Sequence, residues 1–189
     1  MILFLNACVR AESRTRRLAG QVLQRLDGPV EEVRVSEIAF PAVDDAFLAE
    51  RDRCAAAGDF DCPGFALARQ FARADEIVIA APYWDLSFPA ALKQYFEQIN
   101  VIGVTFRYTP AGVPEGLCRA KRLLYVTTAG GLFVPDDYGF DYVRALAENY
   151  YGIRDVRLIR AVGLDLDGAD AEQILRDAEA DLPRILKGE

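Results

Sequence analysis

Two short runs of this chain are apolar without a break, Ile2-Leu3-Phe4-Leu5 and Ile77-Val78-Ile79 within Glu76–Ala81. Each is too short for a buried helix and too continuous for a strand with one wet face, so each fits a strand buried on both faces, as in a parallel sheet covered by helices. The rest of the chain supplies what such a sheet needs. Val30–Val35 alternates apolar and charged residues, as expected of a flanking strand, and Arg122–Thr128 and Val156–Val162 read as two more strands. Between them, Leu18, Val22 and Leu26 recur at helical spacing, with Ser13 as a cap and Asp27-Gly28-Pro29 as a stop. Phe88, Leu92, Phe96 and Ile99 predict a helix over Phe88–Asn100, capped by Ser87 with Pro89 in its first turn. Val143, Leu146, Ala147 and Tyr150 mark a helix ending at Gly152, and Ile174, Ala178, Leu182, Ile185 and Leu186 a C-terminal one. Weaker patterns suggest surface helices around Phe47–Ala57 and Pro63–Arg73. Five strands alternating with helices define one parallel sheet with helices on both faces. In the strand order 2-1-3-4-5, the loops Ala7–Thr15, Pro82–Ser87 and Thr128–Phe133 meet on one rim, where such sheets bind ligands.

At 189 residues, 52% apolar, the chain is expected to form one domain spanning 1–189 around one core. It contains no histidine, which excludes imidazole acid–base catalysis, His-based triads and His metal ligands. Its four cysteines, Cys8, Cys54, Cys62 and Cys118, show no C-x-x-C spacing, so no zinc ribbon, dithiol motif or iron–sulfur cluster is indicated and no metal is expected; reduced thiols in a cytoplasmic protein are. Leu5-Asn6-Ala7-Cys8 resembles a lipoprotein cleavage site, but the apolar stretch ahead of it is too short and lacks a basic start. No run reaches the roughly 18–20 apolar residues of a membrane span. A net charge of −7 argues against a nucleic-acid-binding surface.

The three rim loops carry distinct chemistry. Arg10, Ser13, Arg14, Thr15, Arg16 and Arg17 place hydroxyls, free backbone amides and positive charge at a helix N-terminus, an arrangement that fits a solvated, Ser-capped basic turn but favours a phosphate, because four arginines at the positive end of the helix dipole are unfavourable unless an anion relieves them. Neither G-x-G-x-x-G nor the P-loop pattern is present. Tyr83 and Trp84 beside Asp85 and Leu86 offer a flat apolar surface with a polar edge, suited to a planar heterocycle or simply to packing under the next helix. Thr128-Ala129-Gly130-Gly131 leaves bare backbone that a ligand edge could approach, or a tight turn.

Over Ile2–Thr15, Ala81–Leu117 and Thr127–Gly131 the sequence resembles the FMN-dependent NADH azoreductases and related NAD(P)H:quinone reductases of the flavodoxin-like fold. Its most specific stretch is Gly103-Val104-Thr105-Phe106-Arg107-Tyr108-Thr109 followed by Pro114-Glu115-Gly116-Leu117. The resemblance implies a flavodoxin-like three-layer sandwich that binds FMN. Ser13, Arg14 and Thr15 would hold the phosphate, with Cys8 and Arg10 in the same loop; Pro82, Tyr83, Trp84, Asp85 and Leu86 would line the ribityl chain and ring, and Thr128, Gly130 and Gly131 would edge it. It implies a homodimer with shared active sites, to which Phe106 and Tyr108 contribute near the flavin as candidate catalytic residues. It also implies NADH or NADPH as donor and a quinone, azo or nitro aromatic as acceptor, the two taking turns in a double-displacement scheme. Without histidine, protons would come from water or from a tyrosine such as Tyr108. The chain departs from the family in three places: Cys8 stands for serine, Asp85 for asparagine and Leu86 for a second aromatic. A carboxylate at Asp85 would oppose a reduced, anionic ring unless it turned away. The alternative on the same fold is a flavin-binding electron carrier or regulatory module.

Overall fold

The structure is a computed structural model and describes residues 1–188. Strands β1 (Ile2–Asn6), β2 (Val30–Arg34) and β3 (Glu76–Ala80) are followed by two short ones, β4 (Phe106–Tyr108) and β5 (Pro114–Gly116), then by β6 (Arg122–Thr128) and β7 (Asp155–Ala161). Five of them form one sheet in the order β2-β1-β3-β6-β7, with every neighbouring pair parallel. Counting sheet strands alone, this is the expected 2-1-3-4-5 order. In register, Ile2 faces Val30 on one side and Glu76 on the other, so β1 lies inside the sheet and its carboxyl end at Asn6 sits beside Ala80.

Double-sided burial divides each inner strand residue by residue. Leu3, Leu5, Ile77, Ile79, Leu123 and Tyr125 pack on one face, beneath α2 (Asp45–Ala56), α3 (Ala66–Ala72), α4 (Ala90–Ile99) and α5 (Phe140–Leu146). Ile2, Phe4, Val78, Ala80, Leu124 and Val126 pack on the other, beneath α1 (Arg14–Leu23), α6 (Ala171–Ala180) and α7 (Leu182–Lys187). The two-residue side-chain period of a strand assigns alternate residues to two separate cores, and only a continuous apolar run fills both.

Several boundaries differ from those the spacing predicts, each for a local reason. Helix α4 begins at Ala90, with Pro89 at the cap position, because the Ser87 backbone is paired back onto Trp84. Helix α1 ends at Leu23, and Leu26 belongs to a terminal turn in which its N–H donates to the Leu23 carbonyl at 3.2 Å. The C-terminal helix is two helices, broken where Pro183 can only sit in a first turn. After α5 the backbone widens into a π-helical turn, Ala147–Tyr151, closed by Gly152 at φ +74°.

The antiparallel β4–β5 hairpin, pairing Phe106 with Gly116, was not expected from the residue pattern. It lies against that π turn. Gly116 is required there: a β-carbon would sit 2.2 Å from the backbone of Tyr151 and Gly152. Gly116→Ala is therefore expected to lower the unfolding free energy by about 2–3 kcal/mol, read as a lower urea midpoint with an unchanged slope.

Candidate functional site at the carboxyl ends of the strands

The sheet's hydrogen bonding continues past the strand ends and carries the rim loops with it. Ala7 N–H donates to the Ala80 carbonyl at 2.9 Å, Ala81 N–H to Val126 at 2.9 Å, Tyr83 N–H to Thr128 at 3.0 Å and Ala129 N–H to Ala161 at 3.0 Å. The loops that follow three strands, β1, β3 and β6, are thereby held to the precision of the sheet. Between them lies a cleft of about 360 Å³ lined by Arg10, Ser13, Arg14, Thr15, Pro82, Tyr83, Trp84, Thr128 and Gly130, with Val9, Glu12, Ala129, Leu164 and Asp165 completing the wall.

One end of this cleft is the start of α1. Ser13 caps the helix, its Oγ accepting from the Arg16 N–H at 3.2 Å. The backbone amides of Arg14 and Thr15 precede the first intrahelical hydrogen bond and face outward along the helix axis, at the positive end of its dipole. Thr15 is buried, and its hydroxyl shares a 2.6 Å hydrogen bond with that of Thr128, tying the first turn of α1 to the end of β6. The basic turn is largely compensated by the protein itself. Arg14 donates to Asp165 Oδ1 at 2.6 Å, Arg17 makes two 2.8 Å bonds to Glu172, and Arg16 donates to the Ala11 carbonyl. Gly130 makes the first of these pairs possible, since a β-carbon on it would stand 2.3 Å from the Asp165 carboxylate.

Tyr83 and Trp84, from the loop after β3, also line the cleft. Trp84 and Ser87 exchange backbone hydrogen bonds of 3.1 and 2.8 Å across a two-residue turn, in which Asp85 and Leu86 take φ values of +51° and +66°. Aspartate tolerates that region, whereas a leucine there is strained. The turn is pinned from beyond by Ser87 Oγ, which donates to the Tyr138 carbonyl at 2.6 Å. Burial, together with the carboxylates of Asp136 and Asp137, raises the Tyr83 hydroxyl's pKa above its ordinary value, so it stays protonated.

Of the residues expected at the site, Arg10, Ser13, Arg14, Thr15, Pro82, Tyr83, Trp84, Thr128 and Gly130 come together in the cleft. Asp85 and Leu86 are exposed at the tip of their turn and do not line it, and neither does Gly131, whose carbonyl accepts from the Gly163 N–H at 2.9 Å. Cys8 lies behind the wall, its thiol toward the Ala80 carbonyl at 3.7 Å, and burial raises its pKa. Phe106 and Tyr108 stand on the β4–β5 hairpin and also do not line the cleft of the chain that carries them. Phe106 stacks on Tyr150 with ring centroids 4.5 Å apart, and Tyr108 meets Phe106 edge-on at 5.6 Å. Its hydrogen bond with Tyr150, then the Tyr150 charge, raises the Tyr108 pKa.

Leu164 and Asp165 escaped the sequence reading. They belong to the loop after β7, and the rule that points to loops at strand carboxyl ends would have found them had it been applied to the edge strand as well.

Comparison with known proteins accords with this geometry. The family model of the flavodoxin-like fold matches residues 1–186. An FMN-dependent NADH:quinone oxidoreductase of Lachnoclostridium phytofermentans is 33% identical over 189 residues, covering 94% of this chain and 93% of that one. A Clostridium beijerinckii protein of the same name is 41% identical over 118 residues, a stretch that is 61% of this chain and 59% of its relative, so that match spans little more than half of the relative's length. Among solved structures, an azoreductase from Bacillus anthracis superposes with a TM-score of 0.82 over 97% of both chains at 22% identity, a likeness of fold. The chain belongs to the flavodoxin-like fold family, on the branch that contains the FMN-dependent NADH:quinone oxidoreductases.

The Thr15–Thr128 bond is the tightest link between cradle and sheet. Thr15→Val leaves the Thr128 hydroxyl buried without its partner and is expected to cost about 1–3 kcal/mol. Adding Thr128→Val should recover much of that loss, which paired denaturation curves of the single and double variants would show.

Proposed function

We propose that this chain, as a single domain over 1–189, is an FMN-dependent NAD(P)H oxidoreductase that reduces quinones and azo or nitro aromatic compounds. The observation that carries this is the cleft, which brings a Ser-capped helix N-terminus and Arg14 together with Tyr83 and Trp84 in one lining. That donor set fits FMN: a phosphate requires N–H donors and a cation, and an isoalloxazine requires flat apolar surface with a polar edge. The relative matched over nearly its full length carries FMN and NADH in its name.

When bound, FMN would supply the redox chemistry, two-electron transfer between a nicotinamide donor and the acceptor. The chain's own residues bind and orient. Ser13, Arg14 and Thr15 would hold the phosphate, with Arg10 also lining the cleft; Pro82, Tyr83 and Trp84 would flank the ring, and Thr128 and Gly130 would edge it. Asp85 stands exposed on its turn, so its carboxylate is solvated rather than set against the ring. A hydrogen bond with Tyr150 makes Tyr108 a weaker acid than a free tyrosine, which favours water over Tyr108 as the proton source for the product.

The homodimer belongs to the same proposal. Leu132, Phe133 and Tyr138 are 68%, 80% and 63% exposed, and Tyr108 stands exposed on its hairpin. A second copy covering this surface would bring Phe106 and Tyr108 to the neighbouring cleft. Cytoplasmic placement follows from the donor, an intracellular metabolite; among the described residues no helix is long and apolar enough to cross a membrane.

Anaerobic mixing of FMN-loaded protein with NADH or NADPH tests the activity: the flavin band should bleach within seconds, and two-substrate kinetics with a quinone should give parallel lines. A flavin that stays oxidised until a reductase protein is added would mark an electron carrier instead. Light scattering should give twice the 21.0 kDa chain mass. Arg14→Ala should weaken FMN binding about tenfold, the loss of roughly one charge-assisted hydrogen bond. Arg17→Ala, which removes a guanidinium already paired with Glu172, should change it little; quenching of FMN fluorescence reports both.

A further inference from the structure

Far from the cleft in sequence, the last turn of α2 and the loop that follows bring two of the four cysteines together. Cys54 is fully buried and Cys62 nearly so, and their sulfurs stand 2.6 Å apart. The loop between them is locked rather than slack. Asp59 N–H donates to the Cys54 carbonyl at 2.9 Å, Phe65 N–H to the Cys62 carbonyl at 2.9 Å, and the Arg69 guanidinium to the carbonyls of Phe60 and Cys62 at 2.6 and 2.8 Å. The backbone thus holds the two thiols facing each other without help from any bond between them. We propose that Cys54 and Cys62 are a modification site, a thiol pair that a small-molecule disulfide of the glutathione type converts reversibly into an intrachain disulfide.

The chemistry balances by thiol–disulfide exchange. Cys62, the one of the pair with some surface, loses its proton to water and attacks a sulfur of the small disulfide, whose bond breaks to release one thiolate that takes up a proton. Cys54, deprotonated in turn, attacks the Cys62 sulfur of the mixed disulfide and expels the second thiol. The protein loses two electrons and two protons, and the small disulfide becomes two thiols. The hydrogen bond that Cys54 donates to Cys62, together with burial, raises the Cys54 pKa to about 11, so the closing step should quicken as pH rises.

A metal ion is the competing occupant, because a Glu50 carboxylate oxygen lies within 4.8 Å of both sulfurs. That carboxylate is already engaged by Arg53, whose Nε and Nη2 donate to its two oxygens at 2.8 and 2.6 Å, while Nη2 also lies 3.6 Å from the Cys54 sulfur. A guanidinium in the coordination shell repels a cation but does not hinder a sulfur–sulfur bond. The pair also has a structural reach. Phe60, inside the loop it would close, packs so tightly on Gly103 that a β-carbon there would fall 2.4 Å from the ring, and Gly103 begins the segment leading into β4.

The test uses the full-length protein, incubated with oxidised glutathione or with a reductant, then alkylated under denaturing conditions and examined by intact mass and peptide mapping. The expected result is loss of two of the four titratable thiols, a mass lower than the reduced chain's by about 2 Da before alkylation and by two alkyl groups more after it, and a linked Cys54–Cys62 peptide that reductant removes. The thermal midpoint of the oxidised form should rise by about 5 °C, and Cys62→Ser should abolish both the link and the rise. Four thiols persisting after oxidation, or glutathione remaining attached to either cysteine, would overturn the proposal. So would two thiols shielded without mass loss and released by a chelator, which would make the pair a metal site.

Discussion

Everything in this molecule depends on burying the inner strands of the parallel sheet on both faces. Such a strand can satisfy its backbone only within the sheet, and its side chains only if helices cover both sides. Because the strands are parallel, each connection must recross a face, and all the carboxyl ends finish on one rim. The cleft is a consequence of that arrangement. Its walls are loops whose first residues still belong to the sheet's hydrogen-bond ladder, as the bonds from Ala7, Ala81, Tyr83 and Ala129 show. A site built this way acquires its geometry from the core rather than from the loops' own contacts.

This also explains what could be read from the chain. Ile2–Leu5 and Ile77–Ile79 specify strands because a continuous apolar run has few other uses at that length, and the strand order followed once five of them alternated with helices. Where a boundary depends on a tertiary contact, spacing misleads. Ser87 has the composition of a cap and precedes a helical pattern, yet its backbone is committed to Trp84 and its hydroxyl to Tyr138. The β4–β5 hairpin is three residues on each side, with an interior fixed by a π turn forty residues further along, and nothing local announces it.

The site was legible in its chemistry and less so in its electrostatics. Four arginines near the start of α1 suggest an unmet positive charge, but the balancing carboxylates, Asp165 and Glu172, arrive from the far end of the chain. Sequence separation of about 150 residues hides the pairing. Phe106 and Tyr108 illustrate a different limit: they share a hairpin and an edge-on ring contact, but lie outside the cleft of their own chain, and no property of the isolated sequence says which surface they complete.

The Arg14–Asp165 pair sharpens what binding must accomplish. Both partners are well exposed, so their ion pair contributes little to stability and its arginine can be recruited by a competing anion at small cost. A dianionic phosphate at the helix N-terminus would gain the dipole and the open amides of Arg14 and Thr15 as well as the guanidinium, advantages that Asp165, reaching in from the β7 loop, does not share. On the proposed reading the carboxylate would be a placeholder, occupying the Arg14 guanidinium until a phosphate takes it. Gly130, with no β-carbon to push Asp165 aside, is the residue that lets the placeholder stand where it does.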